Sequence, residues 1–301
     1  MKNLICQSKN PLTPWIAVLI GIFTALSSVS KAQDYSFRID LSGQGQDILL
    51  IPGLTCDGAV WDATVSELQQ NYTCHVITLP GFAEQPAIDV SEGFTPQMSS
   101  ELIRYVQENQ LNQPIVIGHS LGGFLALDML SQEPELFSKA VIVDALPFLA
   151  KIQNPQATEE SMKPAAKNMI AAQQNTPPEQ YAEQQRMYLR SMITDEANID
   201  TAMQWGAASD RSTVGQAMYD LYTTDLRDDI AQINKPVLVL GAYIAYLQYG
   251  VTKEMTLTNF QNQYSELKGV QISLSDKGKH FIMWDDPDFF MQQTTDFLSK
   301  Q

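Results

Sequence analysis

The stretch Pro114-Ile-Val-Ile-Gly-His-Ser-Leu-Gly-Gly123 decides how the rest of this 301-residue chain is read. Ile115, Val116 and Ile117 form a short apolar run with no polar alternation, the pattern of a strand buried on both faces of a sheet. Residues 121–130 carry helical spacing. Between strand and helix lies G-x-S-x-G. Gly118 and Gly122 allow a sharp strand-to-helix turn and a close approach of neighbouring elements. Such a turn holds Ser120 in strained backbone geometry with its hydroxyl exposed. The helix start adds free N–H groups and a positive dipole end nearby. The bland reading is a glycine-rich turn in a structural βα unit. The letters alone are a weak signal, but an apolar strand before them and an amphipathic helix after them favour a nucleophile turn.

Working outward, the same rhythm repeats. Residues 35–41 alternate apolar and polar, as an edge strand does. Residues 48–51 and 74–79 are buried-strand runs, each ended by Pro-Gly, and residues 139–143 are another. Helical spacing falls at 59–68 and 99–108. Strand alternating with helix predicts a mostly parallel sheet covered by helices on both sides, an α/β fold. The rhythm then stops. Residues 149–226 show no strand and are rich in Gln, Ala, Met and Tyr, with punctuation at Pro155, Pro164 and Pro177-Pro178. It resumes with a strand at 236–240, a helix at 255–267, a strand at 270–274 and a helix from Pro287. This predicts a core of residues 33–147 and 227–301, with residues 148–226 inserted as a helical cap over the carboxyl edge of the sheet.

Residues 1–32 differ from the rest. Lys2 and Lys9 precede an apolar run at 15–26, and Ser30-Lys31-Ala32 resembles a cleavage site. The run is short for a bilayer span. A secretory signal peptide cut near Ala32 is expected, and with it a secreted or periplasmic protein; the rival is an uncleaved anchor. The chain carries a net charge of −15 and a pI of about 4.5. The first 32 residues hold three lysines and no acid, so their removal takes −15 to −18. Such a surface repels phosphate backbones, which argues against a nucleic-acid partner, and no stable membrane insertion is expected once the signal is gone. Cys56 follows the strand at 48–51 and Cys74 opens the strand at 74–79; if these strands are parallel the two lie at opposite ends of the sheet, so no disulfide is expected between them. No cluster suggests a metal.

A serine nucleophile needs a base, and the chain has three histidines. His119 sits in the turn itself and its side chain should point away from the serine's pocket. His75 lies at the amino end of its strand. Both read as structural. His280 follows the strand at 270–274 and a loop, so it emerges at the carboxyl edge where Ser120 also emerges. His280 is the expected general base.

These residues resemble the α/β-hydrolase superfamily, in particular its small capped serine hydrolases. The resemblance runs from about Ile48 to the C-terminus and rests on LIPGLTCDG at 50–58, GHSLGG at 118–123, KPVLVL at 235–240 and KHFIMWDDP at 279–287. It implies an oxyanion hole made by the backbone N–H groups of Leu54 and Leu121. It also implies an acid after the strand at 237–240, yet Gly241-Ala-Tyr-Ile-Ala-Tyr-Leu-Gln-Tyr-Gly250 has no carboxylate. Asp144, ending the strand next to that of the nucleophile, is the expected acid, as in some lipases of the superfamily. Glu254, or no acid at all, are the alternatives, and Asp276 lies too close in sequence to His280 to reach back to it comfortably. Asp144 could also simply cap the segment that follows. Tyr243, Tyr246 and Tyr249 are expected to line the space the usual carboxylate fills.

The resemblance implies a cofactor-free serine hydrolase acting on a small ester or related acyl bond. Met162, Met169, Met187, Met192, Met203, Trp205 and Met218 are candidates for an acyl pocket, although methionines at helical spacing are more often packing. The missing acid loop keeps open a binding protein that has lost catalysis. A lyase or haloperoxidase-like use of the same triad also stays open.

Overall fold

The computed structural model describes residues 35–152 and 154–300, together with Met1. The segment read as an export signal therefore lies outside the described residues, apart from Met1. Among the described residues there are seven strands: β1 Arg38–Gly43, β2 Gln46–Ile51, β3 Tyr72–Thr78, β4 Ile115–His119, β5 Ala140–Val143, β6 Val237–Ala242 and β7 Gln271–Ser275. They form one sheet in the order β1-β3-β2-β4-β5-β6-β7. β1 pairs antiparallel with β3, and every other pairing is parallel.

The unbroken apolar runs explain the layers. Leu49 and Ile51 of β2, Val116 of β4, Ala140 and Ile142 of β5, and Val237 and Val239 of β6 face one side. There they meet Leu102 of α2 (Thr95–Glu108), Phe124 of α3 (Leu121–Gln132) and, from the later helix Lys253–Gln263, Phe260. The alternate residues Ile48, Leu50, Ile115, Ile117, Val141, Val143, Leu238 and Leu240 face the other side. They meet Leu68 of α1 (Asp62–Leu68) and Phe290 and Phe297 of the C-terminal helix Pro287–Ser299. Each such side chain contributes about 1.5–3 kcal/mol when removed from water. A strand with both faces covered therefore has no use for the alternation an open sheet would need.

Among the described residues, four α-helices lie between β5 and β6: α4 Glu159–Asn175, α5 Pro178–Met192, α6 Glu196–Ala207 and α7 Arg211–Thr223. A small cluster of Phe148, Ala150, Ala157, Ala166 and Tyr222 ties this segment together. The last helices are α8 Lys253–Gln263, α9 Ile282–Asp285 and α10 Pro287–Ser299. From Tyr35 onward the described chain is one compact unit. None of the described helices is long and apolar enough to cross a membrane.

Several element ends differ from the sequence expectation. Pro164 does not break a helix but sits inside α4, six residues in, where it removes one intrahelical hydrogen bond. α4 is started upstream by a capping box in which Thr158 and Ser161 bond each other's backbone N–H. α2 begins at Thr95, with Pro96 in its first turn, rather than at 99. α8 begins at Lys253 because the Thr252 hydroxyl accepts from the Met255 N–H. The edge strand starts at Arg38 and runs to Gly43. Cys56 and Cys74 are buried free thiols.

Candidate active site

The turn after β4 is built from contacts only glycine allows. A Cβ on Gly118 would lie 2.2 Å from the Gly122 carbonyl oxygen, and one on Gly122 would lie 2.2 Å from that of Ile51. Ser120, pinned between them, has φ 53° and ψ −116°, a conformation costly for any residue with a side chain. Its N–H donates to the Val143 carbonyl at 2.9 Å, and the Asp144 N–H donates to the Leu240 carbonyl at 2.7 Å. The register, His119 against Val143 and Val143 against Leu240, thus carries the ladder past the strand ends. It places Asp144 beside the nucleophile turn at the sheet's carboxyl edge.

Asp144 and His280 meet there. His280 Nδ1 lies 2.7 Å from Asp144 Oδ2. The other carboxylate oxygen, Oδ1, accepts from the Ala242 N–H at 2.8 Å. Both side chains are mostly shielded, 18% and 14% exposed. Asp144 itself has φ 46°, a left-handed value that Asp and Asn tolerate better than most residues. An ionised carboxylate can only accept, so His280 Nδ1 carries the proton and Nε2 is left as a base. Among the described residues neither His280 Nε2 nor Ser120 Oγ has a hydrogen-bond partner, as is common before substrate arrives.

The loop carrying His280 is fixed by groups that sequence reasoning did not single out. The Ser275 hydroxyl donates to Asp286 and accepts from the N–H groups of Lys277 and Gly278. Asp285 accepts from the Lys279 N–H and from the N–H and hydroxyl of Thr194. Lys279 Nζ donates to the carbonyls of Arg190 and Ile193, and the Phe281 N–H donates to that of Met192. Both neighbours of His280 are therefore tied to the α5–α6 junction. Asp285 and Asp286 of the WDDP ending thus fix the loop that carries His280.

The other acid candidates go elsewhere. Asp276 accepts from the Tyr243 hydroxyl at 2.8 Å and from Lys253 at 2.6 Å, on the surface. Glu254 is exposed in the first turn of α8 and lines a separate cleft of about 590 Å³ with Lys151, Arg227 and Gln263. The acid-free stretch after β6 forms a 3-10 helix, Ile244–Tyr249, closed by Gly250 at φ 79°. Of its tyrosines, Tyr243 turns to Asp276 and Tyr249 is 75% exposed, so neither takes the place expected for it. Tyr246 lies close enough to Asp144 that burial first, and that carboxylate second, push its phenol pKa up.

Leu54 and Leu121 stand at the expected loop ends. Among the described residues neither backbone N–H has a protein acceptor. Thr55 follows Leu54 at φ 62°, turning the loop away. Gly53 packs against the nucleophile turn: a Cβ there would lie 3.3 Å from the Ser120 Cβ and 2.8 Å from His119 Nδ1.

His119 differs from expectation in one respect. It is fully buried, but it does not simply point away. Its Nε2 lies 3.1 Å from the His280 carbonyl oxygen and its ring 4.6 Å from the His280 ring. Burial, with His280 adding to it, holds its pKa well below the usual 6.5. His75, by contrast, is braced between the Tyr105 hydroxyl and Asp47, a structural role. The depressed pKa of His119 has a stability consequence. Below 6.5 the unfolded chain takes up this proton more readily than the folded one, so the contribution is complete above that pH and is lost as pH falls. The wild-type melting temperature is therefore expected to drop more steeply below about pH 6.5 than that of His119→Gln. Parallel curves would count against a buried neutral imidazole.

The cap methionines mostly pack. Met192, Met203 and Trp205 lean on the core face that holds Phe281, and Met162 and Met218 on the small cap cluster. Met169 and Met187 are exposed. Trp205 meets Trp284 at 5.7 Å, and Trp284 stacks on Phe281 at 5.1 Å, so α6 abuts the segment just after His280.

The sequence profile of the alpha/beta hydrolase family matches residues 48–293. Among similar proteins, the pimeloyl-[acyl-carrier protein] methyl ester esterase of Vibrio cholerae is 26% identical over 264 residues, 86% of this chain and 97% of that one. The protein of the same name from Nitrosomonas europaea is 25% identical over 216 residues, 68% of this chain and 79% of that one. Among solved structures, an esterase from Exiguobacterium antarcticum superposes with a TM-score of 0.72 at 15% identity, over 88% of this chain and 96% of its own. The enol-lactonase from Burkholderia xenovorans superposes with 0.69 at 15%, over 88% and 96%. At such identities these two speak for the fold alone. The match across 48–293, the parallel sheet and the glycine-built turn lead to one conclusion: the chain belongs to the alpha/beta hydrolase family.

Proposed function

We propose that this protein is an exported serine hydrolase, secreted or periplasmic, that cleaves a small carboxylic ester or related acyl bond. Ser120 Oγ attacks the acyl carbon as His280 Nε2 takes its proton. The Leu54 and Leu121 N–H groups hold the oxyanion, one such donor lowering the barrier by about 2.7–4 kcal/mol. The alcohol leaves with the proton from His280. Water, activated by the same base, then frees the acid and restores the serine. Asp144 keeps the imidazole in the tautomer that makes Nε2 basic and stabilises the imidazolium. No step needs a cofactor.

The observation that carries this reading is the 2.7 Å contact of His280 Nδ1 with Asp144, beside a serine on a strained turn. It supplies the acid that the stretch after β6 lacks. The ester preference is supported by the methyl ester esterases among the relatives, and export by the character of residues 1–32. A fluorophosphonate probe is expected to label the purified protein at one serine. A series of p-nitrophenyl esters is expected to be hydrolysed with a preference for some chain lengths. No labelling and no turnover of any ester would reject the hydrolase reading. N-terminal sequencing of protein recovered outside the cytoplasm is expected to begin near residue 33.

A further inference from the structure

The residue inside the nucleophile turn that the proposed mechanism does not use is His119. We propose that His119 is a positioning residue of this site: its imidazole, donating from Nε2 to the His280 carbonyl oxygen, holds the base, the nucleophile turn and the oxyanion loop in one geometry. The inference rests on the hydrolase reading for its effect on rate, and on contacts alone for its geometry.

The tautomer follows from the partner. A carbonyl oxygen only accepts, so Nε2 bears the hydrogen in the 3.1 Å contact. Nδ1 is then a bare acceptor, buried and without a partner among the described residues. One ring touches three parts of the site. Its centroid lies 4.6 Å from both the His280 and Phe281 rings. Its Nδ1 edge lies under Gly53, where a Cβ would come within 2.8 Å, and Gly53 directly precedes the Leu54 donor. Its own backbone leads into Ser120. The α5–α6 junction holds Lys279 and, through the Phe281 N–H, the nitrogen side of the 280–281 peptide; His119 holds the carbonyl side of that same peptide.

The ring's charge state fits the role. His280 is the titratable group that faces it, and a second cation at that distance would oppose the imidazolium formed at His280 during turnover. Burial and His280 both favour the neutral ring. Losing the donor leaves the His280 carbonyl unpaired and its peptide held from the Phe281 N–H side alone, so that it can tilt. A displacement of about 1 Å between reacting groups costs about 10²-fold in rate.

The test compares His119→Phe, which keeps a planar apolar ring and removes the donor, with His119→Gln, whose amide can restore it. His119→Phe is expected to lower kcat for a p-nitrophenyl ester, and the fluorophosphonate labelling rate, by about 10–100-fold with KM little changed. His119→Gln is expected to recover most of that loss. Wild-type rates in His119→Phe, or equal losses in both variants, would overturn the proposal. Should His119→Phe fail to fold, the comparison of His119→Gln with wild type stands. ¹⁵N NMR of the wild-type imidazoles then reads the tautomer directly. The Nε2–H form is expected for His119, unprotonated through pH 6.5; an Nδ1–H form or ordinary titration overturns the proposal. The NMR result does not depend on turnover. A wild-type protein with the expected tautomer but no labelling would therefore reject the hydrolase reading and leave the geometry standing.

Discussion

Replacing Asp144 by asparagine is expected to lower kcat by about 10⁴ while the melting temperature stays within a few degrees of wild type. The structure makes this an unusually clean substitution. The residue sits at φ 46°, which asparagine tolerates about as well as aspartate. The amide oxygen can still accept from the Ala242 N–H at 2.8 Å, so the brace to the end of β6 survives. What changes is the other contact. At 2.7 Å from His280 Nδ1, an amide NH₂ donates where a carboxylate accepted. That drives the hydrogen to Nε2, and a protonated Nε2 cannot take the serine proton. Steady-state kinetics beside thermal melts check this. Near-normal turnover in a folded Asp144→Asn would remove Asp144 from the mechanism and reopen Glu254. A large loss of folding would favour the bracing role alone.

Replacing Ser120 by alanine is expected to abolish fluorophosphonate labelling and to lower kcat by about 10⁶, the scale seen when a triad nucleophile is removed. The strained backbone persists in that variant, because alanine also carries a Cβ at φ 53° and ψ −116°. Ser120→Gly loses activity equally but relieves the strain. About 1–3 kcal/mol is stored at such a position. Part of it is offset by the greater chain entropy of glycine in the unfolded state. A rise in melting temperature of about 2–4 °C per kcal/mol relieved is expected for a chain of this size. Stability gained as activity is lost would mark the strain as tied to function. Retained labelling in Ser120→Ala would place the reactive serine elsewhere.

The site was legible to unequal depths. Ser120 could be read because the turn's requirements are local. A Cβ on Gly118 or Gly122 would meet backbone oxygen at 2.2 Å, and only glycine fits, so steric need is written into the letters. The position of His280 could be read because only three histidines exist and the strand order places one at the carboxyl edge of the sheet. Asp144 stayed one option among three. Its reach to His280 depends on the register of β4, β5 and β6 and on how the loop after β7 folds over Ser275. No sequence spacing encodes that distance. The contact of His119 was hidden for the same reason: the sequence does not show that its partner is the His280 carbonyl, 161 residues away. Of the tyrosines after β6, Tyr246 comes close to Asp144, whereas Tyr243, just before the 3-10 turn, bonds Asp276 and Tyr249, at its end, is exposed.

The sequence by itself determined the layered sheet, the inserted helices and the glycine-built turn at Ser120. Apolar runs, helical spacing and obligatory glycines act over a few residues, and burial rewards them wherever they occur. Only the tertiary structure decided which carboxylate meets His280, what braces its loop from the inserted helices, and that His119 lies against it. Those are distances of about 3 Å between groups more than a hundred residues apart, set by strand register and loop closure together.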